Sequence, residues 1–131
     1  PVILSLSKNP AGFNQAISTV NTDDRKKDVI IAINDLANDG RDVSWLWDVD
    51  FDKVHDENLN TLTTTGIRKW DISLRFKYAD ILPDFITSDM KEAVNKALDS
   101  DSEVVYVLVN YTALFPTEGV LKELLKERGD R

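Results

Sequence analysis

"VIIAIN", residues 29–34, is an almost unbroken run of β-branched and other apolar side chains. A strand with one face in water alternates apolar and polar residues, and this run does not. The pattern is typical of a strand that is buried on both faces of a parallel sheet. A second run of this kind, "EVVYVLVNY", follows at residues 103–111. Together the two runs predict an α/β fold built on a parallel sheet.

Shorter patterns predict the rest of the sheet. Residues 2–4 predict a short buried strand, and residues 59–66 predict a strand that ends in a glycine turn. Residues 45–51 fit either a strand or a short helix. Because helical patterns separate the strands, we expect a Rossmann-like α/β fold, with a mostly parallel sheet, right-handed crossovers and helices on both faces.

Four segments predict helices. Asn9 is suited to cap the first, since its side chain can accept backbone N–H groups, and Pro10 fits the first helical position. Residues 89–98 predict another helix, and Thr117 is predicted to cap the last. In residues 67–79, large apolar side chains recur at spacings of three and four: Ile67, Trp70, Leu74 and Tyr78.

The composition limits the class of protein. The chain has 131 residues, which predicts one domain over residues 1–131, and its formal net charge of −7 argues against generic binding to nucleic acid or anionic membranes. It contains no cysteine, which excludes disulfides, a cysteine nucleophile and thiolate metal ligands. No signal peptide and no apolar run of membrane-spanning length is recognisable. Because the sequence begins with Pro1, we expect a processed chain or an excised domain.

In open parallel sheets, ligands bind beyond the carboxyl ends of the strands. The predicted loops there cover residues 7–12, 34–45, 63–68 and 110–112. In the first loop, Lys8 beside a helix N-terminus suits an anion such as a phosphate or a carboxylate, because the ammonium and the backbone N–H groups are both positive. The alternative is a plain helix cap with Lys8 in solvent.

The second loop, "NDLANDGRDVSW" at residues 34–45, is unusually rich in Asp and Asn. Its Asn-Asp-Gly segment is a turn signal, but a turn does not require the flanking acids. Carboxylates at strand ends can hold Mg²⁺, orient a base or bind an amine, so the loop is either a site or a solvated acidic turn. Trp45 and Trp47 are predicted to be core or interface anchors.

The third loop leads into a charged helix. Arg68, Asp71 and Arg75 are three and four residues apart, near one helical face. Either they form a ladder of ion pairs along the helix, or Arg68 faces the common cleft and binds an anion.

Several familiar sites are absent from the sequence. Neither a phosphate-binding G-x-x-x-x-G-K-[ST] loop nor a dinucleotide-binding G-x-G-x-x-G occurs. A calcium loop starting at Asp48 fails, because Lys53 and Leu59 occupy the positions that need glycine and glutamate. His55, the only histidine, is predicted to lie at the surface and not in a catalytic triad. We therefore expect no metal site and no self-contained ATP site.

Four stretches together resemble the C-terminal domain of the Mur-ligase-like subunit of lipid II isoglutaminyl synthase: "KNPAGFNQAI", "NDLANDGRDVSWLWDVDF", "TTTGIRKWDISLRFKYA" and "VNYTAL". The resemblance covers residues 2–115 and implies a Rossmann-like fold of the Mur ligase C-terminal domain type. It also implies that an ATP-binding middle domain, absent from this chain, precedes it in the subunit, and that a separate glutaminase subunit is its partner.

The implied reaction belongs to peptidoglycan synthesis in the cytoplasm, at the inner face of the membrane. The α-carboxylate of D-glutamate in the lipid II stem peptide is activated by ATP as an acyl phosphate, and ammonia from glutamine converts it to D-isoglutamine. The C-terminal domain closes over the site, excludes water and positions the substrate. ATP and Mg²⁺ belong mainly to the middle domain, so this chain alone is expected to hold no cofactor and to be inactive.

The resemblance also implies roles for loop residues. Asp42 is the leading catalytic candidate: it completes a Cys–His pair of the glutaminase as a third triad member, or it guides or deprotonates ammonia. Asp35 and Asp39 are lesser catalytic candidates. The predicted substrate- or phosphate-binding residues are Lys8, Asn9, Asn34, Thr65, Arg68 and Tyr111.

One departure limits the resemblance. Other Mur ligases carry an Asp-x-x-His-x-Pro type loop where this chain has Lys8-Asn9-Pro10, so histidine contacts are not carried over. Two other functions stay open, a non-catalytic docking module for the glutaminase and a small-anion-binding α/β domain.

Overall fold

Strands alternate with helices in the computed structural model, which describes residues 2–34 and 44–128. The strands are β1 (Val2–Leu6), β2 (Lys27–Ala32), β3 (Leu59–Thr65), β4 (Phe85–Ile86) and β5 (Val104–Val109). The helices are α1 (Pro10–Asn21), α2 (Lys69–Tyr78), α3 (Met90–Leu98) and α4 (Tyr111–Glu127). Two 3₁₀ helices, Ser44–Asp48 and Phe51–Val54, precede β3.

The described strands form one parallel sheet in the order β1-β5-β2-β3-β4. β2 and β5 are central, and every residue of both is buried. Ala32, the last residue of β2, is level with Val109 of β5 and with Thr65 of β3. These three strands therefore end at the same height, and the residues after them meet at one edge of the sheet, which we call the carboxyl edge.

Helices cover both faces of the sheet, which confirms the predicted Rossmann-like α/β fold. α1, α2 and the 3₁₀ helices cover one face, where Phe13, Phe51 and Phe76 pack together. α3 and α4 cover the other face. β2 supplies side chains alternately to the two cores, with Val29, Ile31 and the following Ile33 in the first and with Ile30 and Ala32 in the second. Burial on both faces explains its unbroken apolar run.

The first strand differs from its prediction. β1 was expected to be short and buried, but it runs over Val2–Leu6 at the edge of the sheet and pairs with β5 alone. Ile3 and Leu6 are each 37% exposed as a result. An apolar run of this length does not distinguish an edge strand from a central one, because that difference depends on the neighbours the strand acquires.

The last helix begins earlier than predicted. α4 starts at Tyr111, so Thr117 lies inside it and donates its hydroxyl to a backbone carbonyl of the preceding turn (2.7 Å) instead of capping the helix. Pro116 also lies inside the helix, and it lacks the N–H that would reach the carbonyl of Thr112. The side-chain amide of Asn34 donates to that carbonyl (3.4 Å). A distant strand end thus supplies the hydrogen bond that the proline removes.

Short elements lie before and after β3. Residues 45–51, which fitted a strand or a short helix, belong mainly to the two 3₁₀ helices. The two-residue strand β4 has no counterpart in the prediction, and it pairs with Thr63 and Thr64 of β3. The other predicted strands and helices are present, with shifts at their ends.

Candidate functional site

Two asparagines join the ends of β2 and β5 at the carboxyl edge. The backbone N–H of Asn34 donates to the side-chain oxygen of Asn110 (3.1 Å), and the side-chain amide of Asn110 donates to the carbonyl of Asn34 (2.6 Å). The Asn34 side-chain oxygen accepts from the backbone N–H of Ile67 (2.9 Å), in the turn after β3. Asn34, a predicted substrate-binding residue, therefore links the end of β2 to the turn after β3 and to the start of α4.

The turn after β3 requires glycine at one position. Gly66 has a φ of +90°, and a Cβ there would stand 2.6 Å from the carbonyl oxygen of Ile33 and 2.9 Å from its nitrogen. The backbone N–H of Arg68 donates to the same carbonyl (2.9 Å). The backbone after β3 therefore lies directly against the end of β2.

A cleft of about 280 Å³ opens between the carboxyl ends of β2 and β3 and the first turns of α3 and α4. Its lining includes two of the predicted binding residues, Asn34 and Thr65, together with Gly66 and Ile67. Lys69, the first residue of α2, contributes a cation. The described lining residues include no carboxylate, so the cleft suits a neutral or anionic ligand.

Lys69 is a candidate that the sequence analysis missed. It stands next to Arg68 after the glycine turn, and its position there was the signal that could have identified it. The sequence analysis chose Arg68 as the anion ligand because it lies close to the start of the predicted helix. The structure places Lys69 in the described lining of the cleft, and Arg68 outside it.

Arg68 and Asp71 form the first step of the predicted ion-pair ladder, with 3.4 Å between Arg68 Nη1 and Asp71 Oδ2. Arg75 does not continue the ladder. Its guanidinium donates to the carbonyl of Val49 (2.9 Å) and lies 3.5 Å from the carboxylate of Asp52. Arg75 therefore ties α2 to the 3₁₀ helices.

Lys8 and Asn9 lie at the end of β1, away from this cleft. The Asn9 side-chain oxygen accepts from the backbone N–H of Gly12 (2.8 Å), so Asn9 caps α1 as predicted. Lys8 is exposed. Because β5 lies between β1 and β2, these residues border a different part of the carboxyl edge. Their roles in binding stay predictions.

The predicted catalytic residues Asp35, Asp39 and Asp42 lie outside the described residues, and so do the side chains of Tyr111 and Trp45. The roles assigned to them stay predictions. Within residues 2–34 and 44–128, no three His, Cys, Asp or Glu side chains are grouped so that they could hold a metal ion. His55 is exposed, as predicted. The helices of this part of the chain are also too short or too polar to cross a membrane.

A family model described as MurT ligase C-terminal matches residues 6–114. The chain belongs to the MurT ligase C-terminal family. This match confirms the resemblance seen in the four sequence stretches, and it includes the Asp-rich loop after β2 and the residues that line the cleft up to Ala113.

Curated relatives of this MurT-type domain are longer proteins. "Lipid II isoglutaminyl synthase (glutamine-hydrolyzing) subunit MurT" of Staphylococcus aureus (strain COL) is 36% identical over 115 residues, which are 87% of this chain and 26% of the relative. The protein of the same name from Streptococcus pneumoniae (strain ATCC BAA-255 / R6) is 29% identical over 127 residues, 95% of this chain and 28% of the relative. The chain thus spans about a quarter of the length of the curated relatives it matches.

Proposed function

We propose that this domain is the C-terminal part of an ATP-dependent amidoligase subunit. With a glutaminase subunit, it would amidate the α-carboxylate of D-glutamate in lipid II to D-isoglutamine, at the cytoplasmic face of the membrane. The family match over residues 6–114 carries the proposal. The relatives' names support it, since they describe a glutamine-hydrolysing lipid II isoglutaminyl synthase.

The chemistry divides between this domain and its partners. ATP, which a preceding domain would hold with Mg²⁺, would transfer its γ-phosphoryl group to the carboxylate and leave ADP. Ammonia released by glutamine hydrolysis would then attack the acyl phosphate, form the C–N bond and release phosphate. On this domain, Lys69 in the cleft would bind a phosphate or carboxylate group of the substrate. Asn34 and Gly66 hold the turn after β3 in place, which fixes the backbone from which the Lys69 side chain extends.

Asp42 is the residue that we propose links the two activities. As the third member of a Cys–His–Asp set, its carboxylate would accept a hydrogen bond from the glutaminase histidine and orient the imidazole that activates the cysteine. Asp42 follows Asn34 by eight residues in the sequence, and the hydrogen bonds of Asn34 fix the end of β2.

An Asp42→Asn variant of the full complex tests this role. We expect normal assembly and a loss of glutamine-dependent amidation of about 100-fold or more, because an amide holds the imidazole in the wrong tautomer. Amidation with added ammonium should persist. Mass spectrometry of lipid II measures both reactions, and Asp24→Asn, at an exposed position before β2, is the control that should keep both. Full glutamine-dependent activity of the Asp42→Asn complex would contradict the proposed role.

A non-catalytic docking module for the glutaminase is the second candidate. It is favoured by a row of large apolar side chains exposed on α2. This candidate predicts that the Asp42→Asn complex assembles and keeps full glutamine-dependent activity, so the same experiment separates the two functions.

A further inference from the structure

The cleft at the carboxyl edge contains a buried hydroxyl that is free to bind a ligand. Thr65, the last residue of β3, is 1% exposed and lines the cleft. Within residues 2–34 and 44–128, its hydroxyl has no hydrogen-bond partner. The hydroxyl of Thr117 in the same lining differs, because it donates to the carbonyl of Ala113 (2.7 Å). A buried hydroxyl without a partner gains more from a ligand oxygen than one that is already hydrogen-bonded.

Lys69 supplies a second donor that is free to bind a ligand. It forms no ion pair with a described residue, and its ammonium lies 5.9 Å from the centroid of the Trp70 ring, a contact that uses none of its three N–H donors. The amide of Asn34, by contrast, already donates to the carbonyl of Thr112 (3.4 Å). The hydroxyl of Thr65 and the ammonium of Lys69 therefore match the two oxygens of a single carboxylate.

The remaining walls of the cleft are mainly apolar. They are formed by alkyl groups of five residues: Ala32, Ile67, Met90, Ala113 and Pro116. A phosphate would leave several oxygens without donors against such walls, whereas an apolar group that carries one carboxylate would not. The described lining residues include no carboxylate, so a ligand amine would have no ionic partner there. The cleft of about 280 Å³ thus suits a short apolar moiety that ends in a carboxylate.

We propose that this cleft binds the C-terminal carboxylate of the lipid II stem peptide, an inference that rests on the proposed function. The terminal carboxylate accepts from the hydroxyl of Thr65 and from the ammonium of Lys69, and the last side chain of the peptide packs against the apolar walls. This domain then holds the end of the peptide while the D-glutamate carboxylate reacts elsewhere. Holding both parts of the substrate reduces its freedom before the reaction.

The charge of the cleft favours the terminal carboxylate over the reacting one. The reacting carboxylate receives a phosphoryl group from ATP, and a site for that transfer must neutralise several negative charges at once. The described lining of the cleft supplies one cation, Lys69, beside apolar walls. A single carboxylate that stays unchanged through the reaction fits this arrangement.

Two substrates test the proposal in the full two-subunit complex. Both are soluble stem-peptide analogues that end in alanine, one with a free C-terminal carboxylate and the other with a C-terminal carboxamide. Ammonium is the nitrogen source, so that glutamine hydrolysis does not limit the rate. We expect the wild-type kcat/KM to be about 10-fold or more higher for the carboxylate substrate, because the carboxamide loses the charge-assisted hydrogen bonds.

Two variants show whether the cleft makes this distinction. Lys69→Met and Thr65→Val should each lower kcat/KM for the carboxylate substrate by about 10-fold and change it by less than about threefold for the carboxamide. A purely structural defect would lower both values equally, so the ratio of the two reports the contact with the terminal carboxylate.

Each variant has a matched control. Thr63→Val removes a hydroxyl from the same face of β3, at a position that is 5% exposed and outside the described lining of the cleft. Lys122→Met removes a charge from an exposed position of α4 that is also outside this lining. Both controls should keep the wild-type ratio of kcat/KM. Thermal unfolding checks that each variant is folded.

Three results would overturn the proposal. Equal wild-type kcat/KM values for the two substrates would show that the terminal carboxylate is not bound, while the amidation of both would leave the proposed function standing. A wild-type ratio in both Lys69→Met and Thr65→Val would show that the terminal carboxylate is bound elsewhere. A wild-type complex that amidates neither substrate would overturn the proposed function as well.

Discussion

The turn after β3 requires glycine at position 66. An Ala side chain would need the left-handed φ of +90° and would meet backbone atoms of Ile33 at 2.6 and 2.9 Å. We expect Gly66→Ala to lower the free energy of unfolding by roughly 2–4 kcal/mol, because it adds backbone strain and a contact that only a backbone shift can relieve. Urea unfolding measures the change.

Gly119 provides the control for this substitution. It lies in α4, and no neighbouring atom is within 4 Å of the position its Cβ would take. Gly119→Ala should raise the free energy of unfolding by about 0.5–1 kcal/mol, because alanine restricts the unfolded chain and favours the helix. Equal stabilities of the two variants would contradict the steric argument for Gly66.

Asn34 shows why residue type alone does not assign a role. An amide at a strand end is suited to bind substrate, yet the Asn34 side chain already accepts from the backbone of Ile67 (2.9 Å) and donates to the carbonyl of Thr112 (3.4 Å). These hydrogen bonds hold the turns that surround the cleft. In the described lining of the cleft, the ammonium of Lys69 is the charged group that can bind a ligand.

At the scale of elements, a hydrogen-bonded chain ties the connection between α1 and β2 to β5. The hydroxyl of Tyr106 donates to Asp23 Oδ2 (2.6 Å), and Arg25 pairs with the same carboxylate (2.8 Å). The hydrogen bond from Arg25, assisted by the one from Tyr106, holds the pKa of Asp23 well below its ordinary value of 3.8.

This shift has a consequence for acid stability. Because the pKa is lowered in the folded state, the charged Asp23 stabilises the fold above pH 3.8, and the contribution is lost as the pH falls toward the folded-state pKa. The stability difference between wild type and Asp23→Asn should therefore be largest near neutral pH and should shrink below pH 3.8. Denaturant unfolding at a series of pH values measures it. Asp24→Asn, at an exposed neighbouring position, should show little effect at any pH, and a constant difference for Asp23→Asn would contradict the assignment.

α2 carries large apolar side chains on both its buried and its exposed side. Ile72 and Phe76 face the core and are buried, while Trp70, Leu74 and Tyr78 lie on the exposed side. The apolar spacing correctly indicated a helix, but apolar residues occur on both sides of it. The sheet covers one side, and the other lies exposed.

At the scale of the whole molecule, the parallel sheet concentrates the candidate chemistry at one edge. The ends of β2, β3 and β5 are level, so the cleft with Lys69 and the start of the Asp42 loop share that edge. α2 packs beside the outer strands β3 and β4.

The nucleotide-binding motifs that the sequence lacks predict the behaviour of the isolated chain. Neither a phosphate-binding loop nor a dinucleotide-binding motif occurs in the sequence, so the purified chain should not hydrolyse ATP. Phosphate release with ATP and Mg²⁺ measures this, with the full-length subunit as the positive control. Turnover by the isolated chain would contradict the proposal that the ATP site lies in another domain.

The sequence by itself determined the central strands, the cap of the first helix, the turn after β3 and the family. The unbroken runs of β2 and β5 predicted central strands, Asn9 predicted the first helix cap, and the glycine after β3 predicted a turn that the φ of Gly66 confirms. These signals succeed because propensity, capping and periodicity act between residues that are close in the chain. The family was recognisable because its stretches are distinctive in themselves.

Only the tertiary structure decided which residues meet. It placed β5 between β1 and β2, so that β1 became an exposed edge strand. It began α4 at Tyr111, earlier than the sequence predicted, so that Pro116 lies inside the helix. The side-chain amide of Asn34 donates the hydrogen bond that Pro116 cannot make. It also placed Lys69 in the cleft and left Trp70 and Tyr78 of α2 exposed. None of this follows from local pattern, because the burial of a side chain and the satisfaction of a polar group depend on partners far away in the sequence that only the packed sheet brings together.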